Sequence, residues 1–119
     1  MSYGPVKVFA ATMASAGTTT SEVDLGQGWN SILLEIPTLT SNSVHFIKVS
    51  NALSAAGGVY RRLSLSSVQT ATIQTNTFTV QSTATNVMVA VPVSGFRYAK
   101  VESEVTINDG AIYKFICGF

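Results

Sequence analysis

Polar and apolar residues alternate through most of this chain, with the two-residue period of a β-strand. In "WNSILLEIP" (29–37), Ile32, Leu34 and Ile36 share one face, and Ser31, Leu33 and Glu35 the other. In "SVHFIKVS" (43–50), Val44, Phe46 and Lys48 share one face, and His45, Ile47 and Val49 the other. The same pattern predicts extended segments at 6–11, 18–25, 59–66, 96–107 and 111–119, and two short pieces within 70–81. "NVMVAVPV" (86–93) is nearly all apolar, the signature of a strand buried on both faces. No segment sustains a 3.6-residue period, and only "NALSAAGG" (51–58) leaves room for a short helix or a longer loop.

Gly, Asn, Ser and Pro punctuate these segments at intervals of about ten residues, which predicts an all-β sandwich or barrel. The expected fold is a single antiparallel β-sandwich over residues 1–119, jelly-roll-like, with seven to nine strands. "GQG" (26–28) and "NDG" (108–110) are turns, the latter a β-hairpin turn with Gly110 at positive φ. "FRYAKVESEV" and "AIYKFICGF" then form the closing hairpin, with Cys117 and Phe119 completing the core.

Composition narrows the role of such a domain. Charged residues are only 11% of the chain, against roughly 25% in an ordinary globular protein. Serine and threonine, 28 together, make the surface polar but uncharged. The net charge is +1, and no cluster of Lys and Arg exceeds Arg61-Arg62, so electrostatic binding of nucleic acid is not expected. A low net charge favours association. No apolar run approaches the ~20 residues of a membrane-spanning helix, and no membrane partner is expected. "MSYGPVKVFAATMA" lacks the apolar core of a leader peptide and reads as mature sequence. With a single cysteine, Cys117, no disulfide can form within the chain, and a buried thiol is expected.

The search for chemistry returns little. His45 is the only histidine, and no serine lies in a G-x-S-x-G elbow, so a triad with Asp24 or Asp109 has no supporting motif. In its alternating segment His45 reads as a packed or half-exposed residue. Glu102 and Glu104 share a face about 7 Å apart, but as neighbours on one strand they read as outward charges guarding a sheet edge. "NDG" lacks the remaining ligands of a calcium loop, and Gly57-Gly58 the rest of a phosphate loop. One Cys and one His cannot build a standard zinc site. No catalytic residue, metal or cofactor is assigned.

Two stretches carry a resemblance. "DLGQGWNSILLEIPTLTSNSVHFIKVS" and "VPVSGFRYAKVE" resemble small β-sandwich virion structural proteins of tailed bacteriophages, the capsid decoration (cement) type among them. The features are the turn Asp24 to Gly28, the apolar strand Ile32 to Pro37, the alternating strand Val44 to Val49, and Pro92 to Val101. The last is also similar to a strand of discoidin-like jelly rolls. The resemblance implies fold and setting, and carries no ligand residues. It implies a non-enzymatic protein on the virion, on the outer capsid surface or the tail. Its partners would be the major capsid protein or other virion proteins and copies of itself, as a homotrimer or other homo-oligomer.

The alternative role is a receptor- or carbohydrate-binding module of a phage tail or fibre, with Trp29, Tyr60 and Tyr98 as stacking groups. Candidate protein-interface residues are Tyr3, Pro5, Trp29, Tyr60, Arg61 and Arg62. Residues 1–9 form a candidate extended N-terminal arm, because Gly4-Pro5 favours an extended path. Deleting residues 2–5 is expected to weaken particle binding or oligomerisation. A binding assay with unchanged affinity would remove the arm from consideration.

Overall fold

A computed structural model describes residues 6–63, 77–82, 84, 87–93, 95–107 and 110–118. Ten strands are assigned among them: β1 (Val6–Met13), β2 (Gly17–Thr19), β3 (Val23–Asp24), β4 (Ser31–Ile36), β5 (Ser43–Ser50), β6 (Arg61–Arg62), β7 (Phe78–Val80), β8 (Val87–Val91), β9 (Tyr98–Ile107) and β10 (Ala111–Gly118). Alternation becomes burial where the sequence expects it. Ile32, Leu34 and Ile36 are buried, while Ser31 and Leu33 are exposed. Tyr113, Phe115 and Cys117 alternate in the same way on β10, and all three are fully buried.

Two antiparallel sheets result. One has the order β1-β10-β4-β8. In the other, β9 and β5 are central; β2 and β3 lie along the free side of β9, and β6 and β7 along the free side of β5. The two sheets thus hold eight strand positions, within the expected seven to nine. The pairing is nested: β1 with β10, β2 and β3 with β9, β4 with β8, and β5 with β6 and β7. First pairs with last and second with next-to-last, as in an antiparallel ribbon rolled on itself.

The core lies between the inner faces. Leu34, Tyr113 and Phe115 of the first sheet meet Ile47, Val80, Ala99 and Val101 of the second in one cluster. Each large apolar side chain so buried stabilises the fold by roughly 1.5–3 kcal/mol. The mixed-period segment 51–58 forms a single 3₁₀ turn at Ser54–Ala56, ended by Gly57 in the left-handed region.

Three expectations need correction. The last two strands are not a hairpin: β9 belongs to the second sheet and β10 to the first. Gly110 does have positive φ (71°), but its turn carries the chain across the core. Rolling the ribbon pairs each strand with its nested partner, so chain neighbours separate. Next, β8 is not buried on both faces. It is a sheet edge, and Met88 and Ala90 point outward and are exposed. Finally, Glu102 and Glu104 do not guard an edge, because β9 is flanked by strands on both sides. In the N-terminal arm segment, Val6–Phe9 form the first half of β1, paired with β10. Tyr3 and Pro5 lie outside the described residues, as do 64–76, Asn108-Asp109 and Phe119.

Gly110 is pinned twice, since a Cβ there would also lie 2.8 Å from the Met13 carbonyl oxygen. Gly57 has a similar φ (82°) but open space around it. Gly110→Ala is expected to cost more than the roughly 1–2 kcal/mol of left-handed strain, and Gly57→Ala about that strain alone. Urea unfolding of the two variants checks this ranking, and equal losses would contradict it.

Candidate functional site

The outer face of the second sheet gathers much of the charge of the described residues, together with the half-buried rings of Tyr60 and Tyr98. The register sets Arg62 opposite Lys48 and Lys48 opposite Lys100, so three cations form one row across β6, β5 and β9. Like charges directly opposite one another on a sheet destabilise it unless they are compensated. Here each cation has a partner. Lys48 Nζ lies 3.1 Å from Glu102 Oε1. The Arg62 guanidinium stacks 3.8 Å from the centre of the Phe46 ring. Lys100 Nζ sits 4.5 Å from the centre of Tyr60. Phe46, although on the outer face, is thereby only 5% exposed.

Tyr60 links this row to the loops. Its hydroxyl donates to Glu22, whose carboxylate also accepts the Ser54 backbone N–H at 3.0 Å. These bonds hold the Glu22 carboxyl below the usual carboxylate range. Burial and the neighbouring carboxylate push the Tyr60 hydroxyl well above the ordinary tyrosine value. Farther along, Arg97 grips Asp24 with two bonds of 2.9 Å, and Asp24 also accepts the Gly26 N–H. Arg97, foremost, lowers the Asp24 pKa. The Arg97 guanidinium rests 5.3 Å from the centre of Tyr98.

The predicted interface residues therefore divide. Tyr60 and Arg62 come together on this face. Arg61, opposite Val49 of the inner register, projects the other way at the sheet margin and is exposed. Trp29 goes into the core: it is 8% exposed, donates its ring N–H to the Leu25 carbonyl and packs edge-on against Phe9. Trp29 and Tyr60 consequently lie on opposite sides of the second sheet and form no common stacking platform. Phe46, Lys48, Lys100 and Glu22 were not singled out from sequence; only the strand register and a 38-residue loop closure bring them to Tyr60 and Arg62.

A recess of about 180 Å³ opens beside Trp29, lined by Leu25, Gln27, Ile32, Val93 and Phe96. It is small for a ligand pocket, but a second, more open recess of about 330 Å³, lined by Trp29, Phe9, Lys7, Asp24 and Arg97, falls at the lower end of the usual range of roughly 300–1,000 Å³. Among the described residues no three of His, Cys, Asp and Glu gather as metal ligands would, and no helix is long and apolar enough to cross a membrane.

Of the two readings its alternation allowed, His45 is packed rather than half-exposed, and is fully buried. Its Nε2 lies 2.7 Å from the Tyr113 hydroxyl of the facing sheet and its Nδ1 3.1 Å from the Ser43 hydroxyl. The ring stacks on Phe78. A neutral imidazole donates from one nitrogen and accepts at the other, so one hydroxyl donates to it and the other accepts. Burial holds the His45 pKa below 6.5 and raises that of Tyr113 to about 12.

No family model matches the chain, and no curated protein matches it. The fold is similar to that of the SPBc2 prophage-derived protein YomS, a crystal structure, with a TM-score of 0.59. The match covers 100% of this chain and 99% of that one at 14% identity.

The buried His45 makes stability depend on pH. The folded pKa is depressed below the unfolded 6.5, so the unfolded chain takes up the proton first. Stability is complete above about pH 6.5 and is expected to fall by up to roughly 1.4 kcal/mol per pH unit below it. Denaturant midpoints at pH 7.5 and 5.0 measure the effect; identical stability at both would contradict a buried neutral His45.

Proposed function

We propose that this chain is a non-enzymatic structural protein of a bacteriophage particle, a capsid decoration (cement) protein that binds the assembled shell and stabilises it. The observation that carries the reading is the likeness of its fold, over 100% of this chain and 99% of the other, to a prophage-derived protein. The surface chemistry supports it. The outer face of the second sheet offers Tyr60, Arg62, Lys48 and Phe46 already held in place by one another, and Arg and Tyr are residue types enriched in protein contacts. Pre-paired side chains lose little freedom on binding. A protein that binds only the assembled shell stabilises that state by mass action. The partner is the major capsid protein or another virion protein.

The alternative, a receptor- or carbohydrate-binding module of a tail or fibre, has weaker support. Of its stacking groups, Trp29 is buried in the core, away from Tyr60 and Tyr98, which stand on the outer face of the second sheet.

The test is a mass-resolved inventory of purified particles, followed by binding of the purified chain to shells that lack it. The chain is expected in many copies per particle. Arg62→Ala and Tyr60→Ala are expected to weaken shell binding at least about tenfold, as hot-spot truncations do. Absence from particles would end the virion reading, and binding to tail structures alone would end the decoration reading.

A further inference from the structure

The outer face of the first sheet is unlike that of the second. Among the described residues, nine large hydrophobic side chains are exposed, and five of them stand on this one face: Val6, Val8, Leu33, Met88 and Ile112. Isolated exposed hydrophobics are ordinary, but a contiguous patch marks an interaction surface. The sequence of β8 reads as a strand buried on both faces, yet its outward Met88 and Ala90 are bare in a single chain. A contiguous apolar face of this kind calls for a cover.

We infer that the cover is the same face of a second copy, related by a two-fold axis. The register supplies the argument. One row across the sheet reads Val8, Ile116, Leu33, Ala90, and the next reads Ala10, Lys114, Glu35, Met88. Place a two-fold axis parallel to the strands, midway between β10 and β4. Each row then meets itself reversed. Val8 faces Ala90 of the second copy, and Ala10 faces its Met88, so each large edge residue meets a small one. Ile116 faces Leu33 at the centre.

Lys114 faces Glu35 of the second copy, and the reverse contact forms by symmetry. Neither residue has an ion pair within its own chain among the described residues. Two opposite charges side by side amid apolar neighbours are self-complementary under such an axis.

The area is sufficient. Four strands at about 4.8 Å spacing, with about six residues each at 3.4 Å, make a face of roughly 19 by 20 Å. Two such faces cover roughly 800 Å² in projection, and accessible surface on a studded face exceeds its projection, so the contact reaches the ~1,000 Å² scale of specific interfaces. Two sheets stacked in this way pack aligned, about 10 Å apart. The pairing leaves the Tyr60 and Arg62 face outward on both copies. It is independent of the virion reading, because it is measured on the purified chain without any particle.

The test uses sedimentation velocity of the full chain over a wide concentration range, with circular dichroism to confirm folding. The wild type is expected to dimerise. Glu35→Lys and Lys114→Glu each place like charges face to face and are expected to weaken dimerisation at least about tenfold. Mixing the two single variants is expected to restore a dimer, now mixed, because each variant charge meets its opposite across the axis. Rescue by mixing cannot arise from repair within one chain. Leu33→Lys, at an exposed central position, is expected to be monomeric and serves if a charge reversal fails to fold. A wild type monomeric at every concentration, a dimer indifferent to Leu33→Lys, or two folded single variants that do not rescue each other would overturn the inference.

Discussion

Contact between the two inner sheet faces carries this structure. Each strand has one face that must leave water, and neither sheet can hide that face alone. Ile32, Leu34, Tyr113 and Phe115 on one side and Ile47, Ala99 and Val101 on the other satisfy the requirement together. The requirement also explains the winding. A ribbon that pairs first strand with last, and then rolls, places alternate nested pairs in opposite sheets, so every turn between β9 and β10 or between β4 and β5 must cross the core. Gly110 is needed at one such crossing because the chain passes within 2.8 Å of where its side chain would begin.

A polar contact is set into this apolar layer. The His45–Tyr113 bond joins the sheets across 68 residues of sequence, with Ser43 occupying the second imidazole nitrogen. An unsatisfied buried imidazole would cost about 1–3 kcal/mol, so the bond matters most for what its loss would leave exposed to no partner. Because hydrogen bonds are directional where apolar packing is not, it also favours one relative position of the sheets.

With the inner faces committed, the outer faces are free to differ, and they do. The second sheet bears cations, rings and carboxylates in mutual contact. The first is apolar, with Lys114 and Glu35 side by side and, among the described residues, without an ion pair. A chain with charged residues at only 11% has few charges to distribute, and concentrating them on one sheet leaves the other suited to contact with protein.

The positions of most strands were legible along the chain. Alternation marked β4 and β5 closely, placed Ile32, Leu34 and Ile36 inside, and kept His45 packed. Those features depend on a two-residue period, which is a local property of the backbone. The candidate contact face was legible only in pieces. Tyr60 and Arg62 were visible as surface residues, but the sequence left Trp29 open between core and interface, because Phe9 reaches it only through the fold.

Sequence by itself determined an all-β sandwich with a sparse charge and a buried thiol. Tertiary structure alone decided that β9 and β10 part into different sheets, that an all-apolar β8 stands at an edge, and that Lys114 lies beside Glu35. Each of those is a relation between strands far apart in the chain, set by pairing and register, and a local period carries no information about which strand lies alongside.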